Sequence, residues 1–217
     1  NGDVVLVGTE GLQILELRSL EILADWHEDD GFSGVAVIST RNELFTGSKE
    51  TNNVCRWNVA SAACMQSWQT EKPRVRLVRT TPWGDTVLTS AERIFELWRL
   101  RAAAPQRLHA FIRSPSRYPY TDKVAALTRD GSGVLLASNE PGDVGVHYLD
   151  AASGRVLQTF RGHVAEINAV QLSGDDRHAI SASGDGSEKI WALPEIPDSA
   201  RDAAEWVIAT GRNERVT

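Results

Sequence analysis

The sequence predicts an all-β fold in which one small antiparallel sheet is repeated about five times along the chain. The end of the strand that follows a polar turn recurs with spacings of 42, 41, 50 and 43 residues, at Leu15, Trp57, Trp98, Tyr148 and Trp191. A second marker is the turn after the apolar strand that precedes each of these strands, and it recurs with spacings of 42, 47 and 43 residues, at Asn42, Gly84, Gly131 and Gly174. Two independent markers therefore share one period. Apolar and polar residues also alternate within the units, which is typical of strands.

The first two units are predicted at residues 1–30 and 31–72. The first is partial, because GDVVLVGTEGLQILEL begins in what the register assigns as the second strand of a unit. The second ends at Trp57, after an enlarged turn from Lys49 to Asn53. Cys55 and Cys64 fall in consecutive predicted strands. Two thiols in a chain of this size form no disulfide framework, so we expect both to be reduced.

The third and fourth units are predicted at residues 73–120 and 121–160. The third ends at Trp98 after a shortened turn and has no aspartate six residues before that tryptophan. The fourth has Tyr148 in the place of the tryptophan. The segment RSPSRYPY, residues 113–120, precedes the fourth unit and accounts for the longest spacing.

The fifth unit, residues 161–193, is the most complete. Gly162-His163 opens it, and Ile190-Trp191 closes it after the tight turn at residues 184–186. This arrangement resembles the WD-repeat family of β-propellers, whose blades carry Gly-His near the start and Trp-Asp about 40 residues later. Here Ala192 stands in the place of the final aspartate. The other units support the resemblance through their period.

The resemblance implies a buried hydrogen-bonded network in the fifth unit, made by His163, Ser181, Asp185 and Trp191. Such a network satisfies the indole and imidazole groups, since a buried donor without a partner costs roughly 1–3 kcal/mol. A serine, a histidine and an aspartate are also the parts of an acyl-transfer triad, and of the two interpretations we favour the structural one. The other four units lack the full set, and we expect them to rely on strand packing alone.

An isolated propeller sheet is not stable, and ring closure protects its edges. Propellers have about four to eight blades and those of this family usually about seven, so five units predict an incomplete ring. The missing blades lie in a longer protein of which this chain is a piece, in an unresolved region, or in a partner, and we favour the first. Residues 194–217 depart from the repeat, and we expect them to form a short helix capped at Asp198 or Ser199, or a closing strand.

The net charge of −6 is unevenly distributed. From Lys72 to Lys123 there are eleven Lys or Arg and four Asp or Glu, a net of +7 that leaves −13 for the remainder. Arg74 and Arg76 alternate with apolar residues, which predicts both on the solvent face of one strand. Such a patch binds nucleic-acid phosphates or an acidic protein segment, or is a solvated face balanced by acidic neighbours. The candidate partner-binding residues are Arg74, Arg76, Arg79, Arg113, Arg117, Tyr118 and Tyr120.

Other features exclude some functions. Residues 25–30, DWHEDD, offer carboxylates and an imidazole, but metal sites need ligands from several segments, so we interpret them as a solvated acidic loop. We predict no metal, no cofactor and no small-molecule substrate. No apolar run reaches the roughly 18 residues of a membrane span, and no leader resembles a signal peptide. We therefore predict an intracellular protein of the cytoplasm or nucleus, the nucleolus included, that binds no membrane.

Together these features predict a non-catalytic interaction scaffold, a subunit of a multiprotein or ribonucleoprotein assembly. Its partners would be other proteins, and RNA would bind through the basic third unit. NVCRWNV and VLTSAERIFELWRL resemble a WD-repeat subunit of the nucleolar small-subunit processome, so one alternative is pre-rRNA processing in ribosome biogenesis. A second alternative is a substrate receptor of a ubiquitin ligase. An enzyme on a propeller would need acidic or histidine residues from several blades.

Overall fold

Within the described residues, each strand pairs only with its neighbours in sequence. The computed structural model describes residues 3–7, 11–16, 22–27, 31–38, 41–61, 63–92, 94–100, 104–112, 124–140 and 142–195. These residues form eighteen strands and no helix, and antiparallel pairing joins the strands into five sheets. The prediction of an all-β fold made of repeated propeller-type sheets is confirmed. The chain divides into two units, Asn1–Pro115 and Ser116–Thr217.

The first unit contains three sheets, each with its strands in chain order. The first sheet comprises β1 (Asp3–Val7), β2 (Gly11–Glu16) and β3 (Ile22–His27). The second comprises β4 (Phe32–Ile38), β5 (Glu43–Ser48), β6 (Asn53–Asn58) and β7 (Ala63–Gln69). The third comprises β8 (Val75–Thr80), β9 (Thr86–Ala91), β10 (Ile94–Leu100) and β11 (Pro105–Ile112). Leu15, Trp57 and Trp98 lie on β2, β6 and β10, so β2 corresponds to the third strand of a four-stranded sheet.

The second unit contains two sheets. They comprise β12 (Ala125–Leu127), β13 (Gly133–Glu140), β14 (Asp143–Asp150) and β15 (Val156–Arg161), then β16 (Ile167–Leu172), β17 (His178–Ser183) and β18 (Glu188–Ala192). Leu135, Val146 and Phe160 of the first of these sheets share one core with Ile167 of the second. The buried Asn139 amide joins the two sheets, because its Oδ1 accepts from the Ile167 N–H (2.8 Å) and its Nδ2 donates to the Ile167 carbonyl (3.1 Å).

The second and third sheets of the first unit pack face to face over one apolar core. That core contains Ile38, Phe45, Val54, Trp68, Val75, Val78, Val87, Ala91 and Trp98. The Trp68 and Trp98 rings lie with their centroids 6.0 Å apart. All six residues of β9 are buried, so burial there does not follow the alternation expected of a half-exposed strand. The reason is that the middle strand of such a sheet is covered on both faces.

One glycine permits this close packing. A Cβ added at Gly47 on β5 would lie 2.5 Å from Val75 Cγ1 and 2.9 Å from the Val75 carbonyl oxygen on β8. The second contact is with backbone, so a side-chain rotation cannot relieve it. Gly47 therefore sets how closely these two sheets approach.

Two expectations from the sequence are wrong. Cys55 and Cys64 form a disulfide instead of remaining reduced, because a bulge between Arg56 and Trp57 shifts the register of β6 and β7. The shift brings the two Cα atoms to 6.1 Å, within the range that a disulfide spans. In addition, residues 25–27 belong to β3, not to a loop, because they pair with β2. Residues 28–30 lie outside the described residues.

Replacing Gly47 by alanine should lower the free energy of unfolding by about 1–3 kcal/mol, the usual range for an overpacked core. Gly174→Ala is the matched control, since a Cβ at Gly174 meets no atom within 4 Å. Urea unfolding of both variants checks the prediction. Equal stabilities of the two variants would contradict it.

Candidate functional site

The four residues of the predicted network are brought together in the last sheet. His163 precedes β16, Ser181 lies on β17, Asp185 lies in the β17–β18 turn and Trp191 lies on β18. His163 Nε2 is 2.8 Å from Ser181 Oγ, and His163 Nδ1 is 3.0 Å from Asp185 Oδ2. The Trp191 indole N–H donates to Ser181 Oγ at 2.8 Å. Ser181 is 1% exposed, so these bonds form away from solvent.

The directions of these hydrogen bonds follow from what each group can donate. The Asp185 carboxylate only accepts, so His163 Nδ1 must carry a proton. In a neutral imidazole Nε2 then accepts, and the Ser181 hydroxyl donates its proton to it. The same hydroxyl oxygen accepts from the indole of Trp191. A single chain of donors from tryptophan to aspartate thus satisfies every polar group in the cluster.

The Asp185 carboxylate also accepts hydrogen bonds from two separate segments, the one before β16 and the β17–β18 turn. Its Oδ2 accepts from the Val164 N–H (3.0 Å), and its Oδ1 accepts from the Ser187 hydroxyl (2.6 Å) and the Ser187 N–H (2.8 Å). The Ser187 hydroxyl and the Val164 N–H, together with His163, hold the pKa of Asp185 well below its usual value. The carboxylate therefore fastens the segment before β16 to the β17–β18 turn.

Ser181, His163 and Asp185 contact one another in the order of an acyl-transfer triad, but the serine hydroxyl is buried and no substrate can reach it. In a triad the serine oxygen must reach a substrate carbonyl. Here Ser181 Oγ is buried, and it forms hydrogen bonds with both the indole of Trp191 and the imidazole of His163. The geometry supports a packing role for this cluster.

In the second and third sheets of the first unit, a tryptophan indole also donates a hydrogen bond to a hydroxyl. The expectation that these sheets rely on strand packing alone is therefore wrong. The Trp57 indole donates to Thr46 Oγ1 (2.8 Å), and the Trp98 indole donates to Thr89 Oγ1 (3.0 Å). In all three sheets the hydroxyl lies two residues beyond the strand partner of the tryptophan. A search for a Ser or Thr nine to eleven residues before the tryptophan would have found these pairs.

A buried glutamate has the role of Asp185 in the third sheet. Glu96 is 1% exposed, and its Oε2 accepts from the Glu71 N–H (3.0 Å) in the segment that precedes β8. Arg107 donates to Glu96 Oε1 (2.9 Å) and to Glu71 Oε2 (3.2 Å). The hydrogen bond to Glu96 raises the pKa of Arg107. Sequence reasoning counted Arg107 only as part of the basic third unit.

The candidate arginines are arranged differently from the predicted stripe. Arg74 is exposed and precedes β8 with a φ of 64°, and a bulge follows between Val75 and Leu77. Arg76 is half-buried within that bulge, so the two guanidinium groups do not share one regular strand face. Arg79, further along β8, donates to the Val78 carbonyl (3.0 Å), and desolvation lowers the pKa of Arg79.

Several other predictions concern residues that the structure does not describe. Arg113, Arg117, Tyr118 and Tyr120 lie outside the described residues, as does the tail from residue 196 onward. Within the described ranges, no group of three or more metal-ligating side chains is gathered. The same ranges include no helix long and apolar enough to cross a membrane.

The low pKa of Asp185 makes stability depend on pH. A carboxylate with a depressed pKa stabilises the folded state above its unfolded pKa of about 3.9, and that stabilisation is lost as the pH falls further. Asp185→Asn should lower the melting temperature at pH 7, and its difference from the wild type should shrink below about pH 4. Thermal unfolding between pH 7 and pH 2 measures this difference, with Glu195→Gln, an exposed carboxylate, as control. A constant difference would contradict the assignment.

Comparisons with known proteins agree with this architecture. No protein-family model matches the chain. It is 24% identical over 159 residues to WD repeat-containing protein 90 of Homo sapiens, covering 69% of this chain and 9% of that protein. It is 29% identical over 109 residues to WD repeat-containing protein 36 of Homo sapiens, covering 50% and 11%. Set1 complex component swd2 of Schizosaccharomyces pombe is 29% identical over 83 residues, covering 38% and 23%.

In each case the match spans less than a quarter of the relative's own length. Two of these relatives are named for their WD repeats. The sheets, their period and the His163 cluster agree with that name. The chain is therefore similar to WD-repeat proteins in sequence, and its repeated sheets are those of a β-propeller.

Proposed function

We propose that this protein is a non-catalytic interaction scaffold within a larger multiprotein assembly. One observation carries the proposal: the cluster most like a catalytic centre, around Ser181, is sealed by Trp191 and fully used in hydrogen bonding. These hydrogen bonds stiffen the sheet, and its buried polar groups are used for stability. Contacts with other proteins are therefore made by the turns and loops.

The relatives support a role in complexes. One of them is named as a component of the Set1 complex. WD-repeat proteins are generally non-catalytic, and a stiff propeller scaffold suits a subunit that holds other proteins together. An intracellular location, pre-rRNA processing and a ubiquitin-ligase receptor role stay predictions from the sequence.

The scaffold proposal predicts that Ser181 does not react with fluorophosphonate probes and that His163→Ala affects stability but not binding. The substitution removes the acceptor of the Ser181 hydroxyl proton and one of the donors to Asp185, so it should cost about 1–3 kcal/mol. The melting temperature should fall by about 2–4 °C for each kcal/mol. Native elution size and co-purifying proteins should match the wild type at a temperature where the variant is folded.

Two outcomes would overturn the proposal. The first is fluorophosphonate labelling of the wild type that disappears in Ser181→Ala. The second is elution of the wild-type protein as a monomer from an extract of its source. Heat-denatured protein supplies the background for the labelling experiment.

A second candidate function, RNA binding within a ribonucleoprotein, is favoured by the charge distribution. The segment from Lys72 to Lys123 carries a net charge of +7 in a chain of −6. Arg74 is exposed, and within the described residues its side chain forms no ion pair. Arg107 contributes less, because Glu96 and Glu71 neutralise it.

If the basic segment binds RNA, changing Arg74 and Arg76 to Glu should weaken retention of single-stranded RNA. The change should also reduce the slope of affinity against salt concentration, since fewer counterions are released. Arg155→Glu with Arg177→Glu is the charge-matched control, because both arginines are exposed in the second unit. Filter binding between about 50 and 200 mM salt measures both effects. If both double variants lose the same RNA affinity, the effect comes from net charge alone, and Arg74 and Arg76 do not form an RNA-binding site.

A further inference from the structure

Three turns between the first and second strands of their sheets share one backbone geometry. The Gly84 N–H donates to the Thr81 carbonyl, the Gly131 N–H to that of Thr128, and the Asp176 N–H to that of Ser173, each at 3.0 Å. The residue at the third of the four positions differs between them. It is Asp130 in one turn and Asp175 in another, but Trp83 in the turn between β8 and β9.

The aspartates at this third position stabilise their own turns. Asp130 Oδ1 accepts from the Thr128 hydroxyl (2.8 Å) and the Ser132 N–H (2.9 Å). Asp175 Oδ1 accepts from the Ser173 hydroxyl (2.6 Å) and the Arg177 N–H (3.1 Å). A short acceptor at this position is the ordinary solution for such a turn. An indole offers no acceptor, so the turn around Trp83 needs another residue for this purpose.

That residue is Asp85. The Thr81 hydroxyl donates to Asp85 Oδ1, and the Asp85 carbonyl accepts from the Leu100 N–H at 2.8 Å. Gly84 has a φ of 69° and lies so close to the second sheet that a Cβ there would be 2.1 Å from Ile38 Cδ1. The turn is thus held in place without any contribution from the side chain of Trp83.

Trp83 itself faces solvent. It is 56% exposed, while Thr81 and Gly84 on either side are buried. It is the only aromatic among the exposed large hydrophobic side chains in the described part of the chain. A large aromatic side chain on a fixed backbone loses little conformational entropy on binding, which is why tryptophan is enriched at interface hot spots.

Two arginines lie on chain segments that adjoin this turn. The Arg41 N–H donates to the carbonyl of Ile38, the residue that packs under Gly84. Arg99 is on β10, next to the Leu100 that binds Asp85. Neither guanidinium forms an ion pair with another described residue. The carboxylate of Asp85, in the same turn, accepts a hydrogen bond from the Thr81 hydroxyl.

We propose that the Trp83 surface, formed by Trp83, Arg41 and Arg99, docks a protein partner that offers an apolar pocket rimmed by carboxylates. This inference rests on the proposed scaffold function and assigns it a surface. A protruding side chain fits a pocket, and the two arginines complement acidic groups around it. Single-stranded RNA is the less favoured partner, because such sites stack successive bases on several aromatic side chains, and Trp83 is the one exposed aromatic among the large hydrophobic side chains that the structure describes.

The test begins with a photo-crosslinking amino acid, p-benzoylphenylalanine, placed at position 83 of the whole protein in its source cells. The control places it at position 155, an exposed site in the second unit. We expect a protein adduct at 83 that is absent at 155. The crosslinked partner is then purified, and its affinity for wild type and variants is measured by calorimetry.

Trp83→Asp is the decisive variant, because aspartate is the residue of the two related turns and should preserve folding. Loss of a tryptophan hot spot should weaken binding by at least about 30-fold. Arg41→Glu tests the charge component independently and should weaken binding further as salt is lowered. A melting temperature of Trp83→Asp within a few degrees of the wild type confirms that folding is intact.

Unchanged affinity of both variants would overturn the proposal, as would adducts to RNA, adducts to a second copy of the chain, or no specific adduct. The outcomes also separate this inference from the scaffold function. If the wild type elutes in a large assembly without an adduct at 83, the scaffold stands and this surface does not. If the wild type elutes as a monomer, both are rejected.

Discussion

The structure depends on the face-to-face burial of thin sheets, none of which contains a core of its own. A four-stranded antiparallel sheet has two faces, and here the middle strands β5, β9 and β13 are buried almost throughout. The stabilising apolar contacts therefore lie between sheets, as those of Phe45 and Trp98 do in the first unit. Small residues such as Gly47 are required where the backbones approach most closely.

Burial on both faces makes polar groups inside the sheets costly unless each has a partner. The chain solves this problem repeatedly with different residues. Tryptophan indoles bind a hydroxyl on the neighbouring strand in three sheets, at Thr46, Thr89 and Ser181. The segment leading into a sheet is fastened by Asp185 in one sheet and by the buried Glu96 in another. Such fixed sheets leave variation to the turns, where Trp83 stands in the place that aspartate has elsewhere.

The fold was largely predictable because its period is local. Spacings between tryptophans and turns report the length of one sheet, and pairing of sequence neighbours needs no long-range information. The His163 cluster was predictable because its four residues keep the spacing of the family. The contacts of Glu96 with Arg107 and with the Glu71 N–H were not predictable. They join two strands and a loop, and the register of the strands decides whether these residues meet. Arg74 and Arg76 were misplaced for a similar reason, because the bulge beside Val75 breaks the alternation.

By itself the sequence determined the repeated sheet, the family resemblance and the uneven distribution of charge, since each depends on residue type and spacing along one dimension. Only the tertiary structure decided which of those residues are available. It paired Cys55 with Cys64 through a register shift, neutralised Arg107 and sealed Ser181. It also left Trp83 in solvent. These outcomes depend on the register between neighbouring strands and on how the sheets pack, and spacing along the chain reports neither.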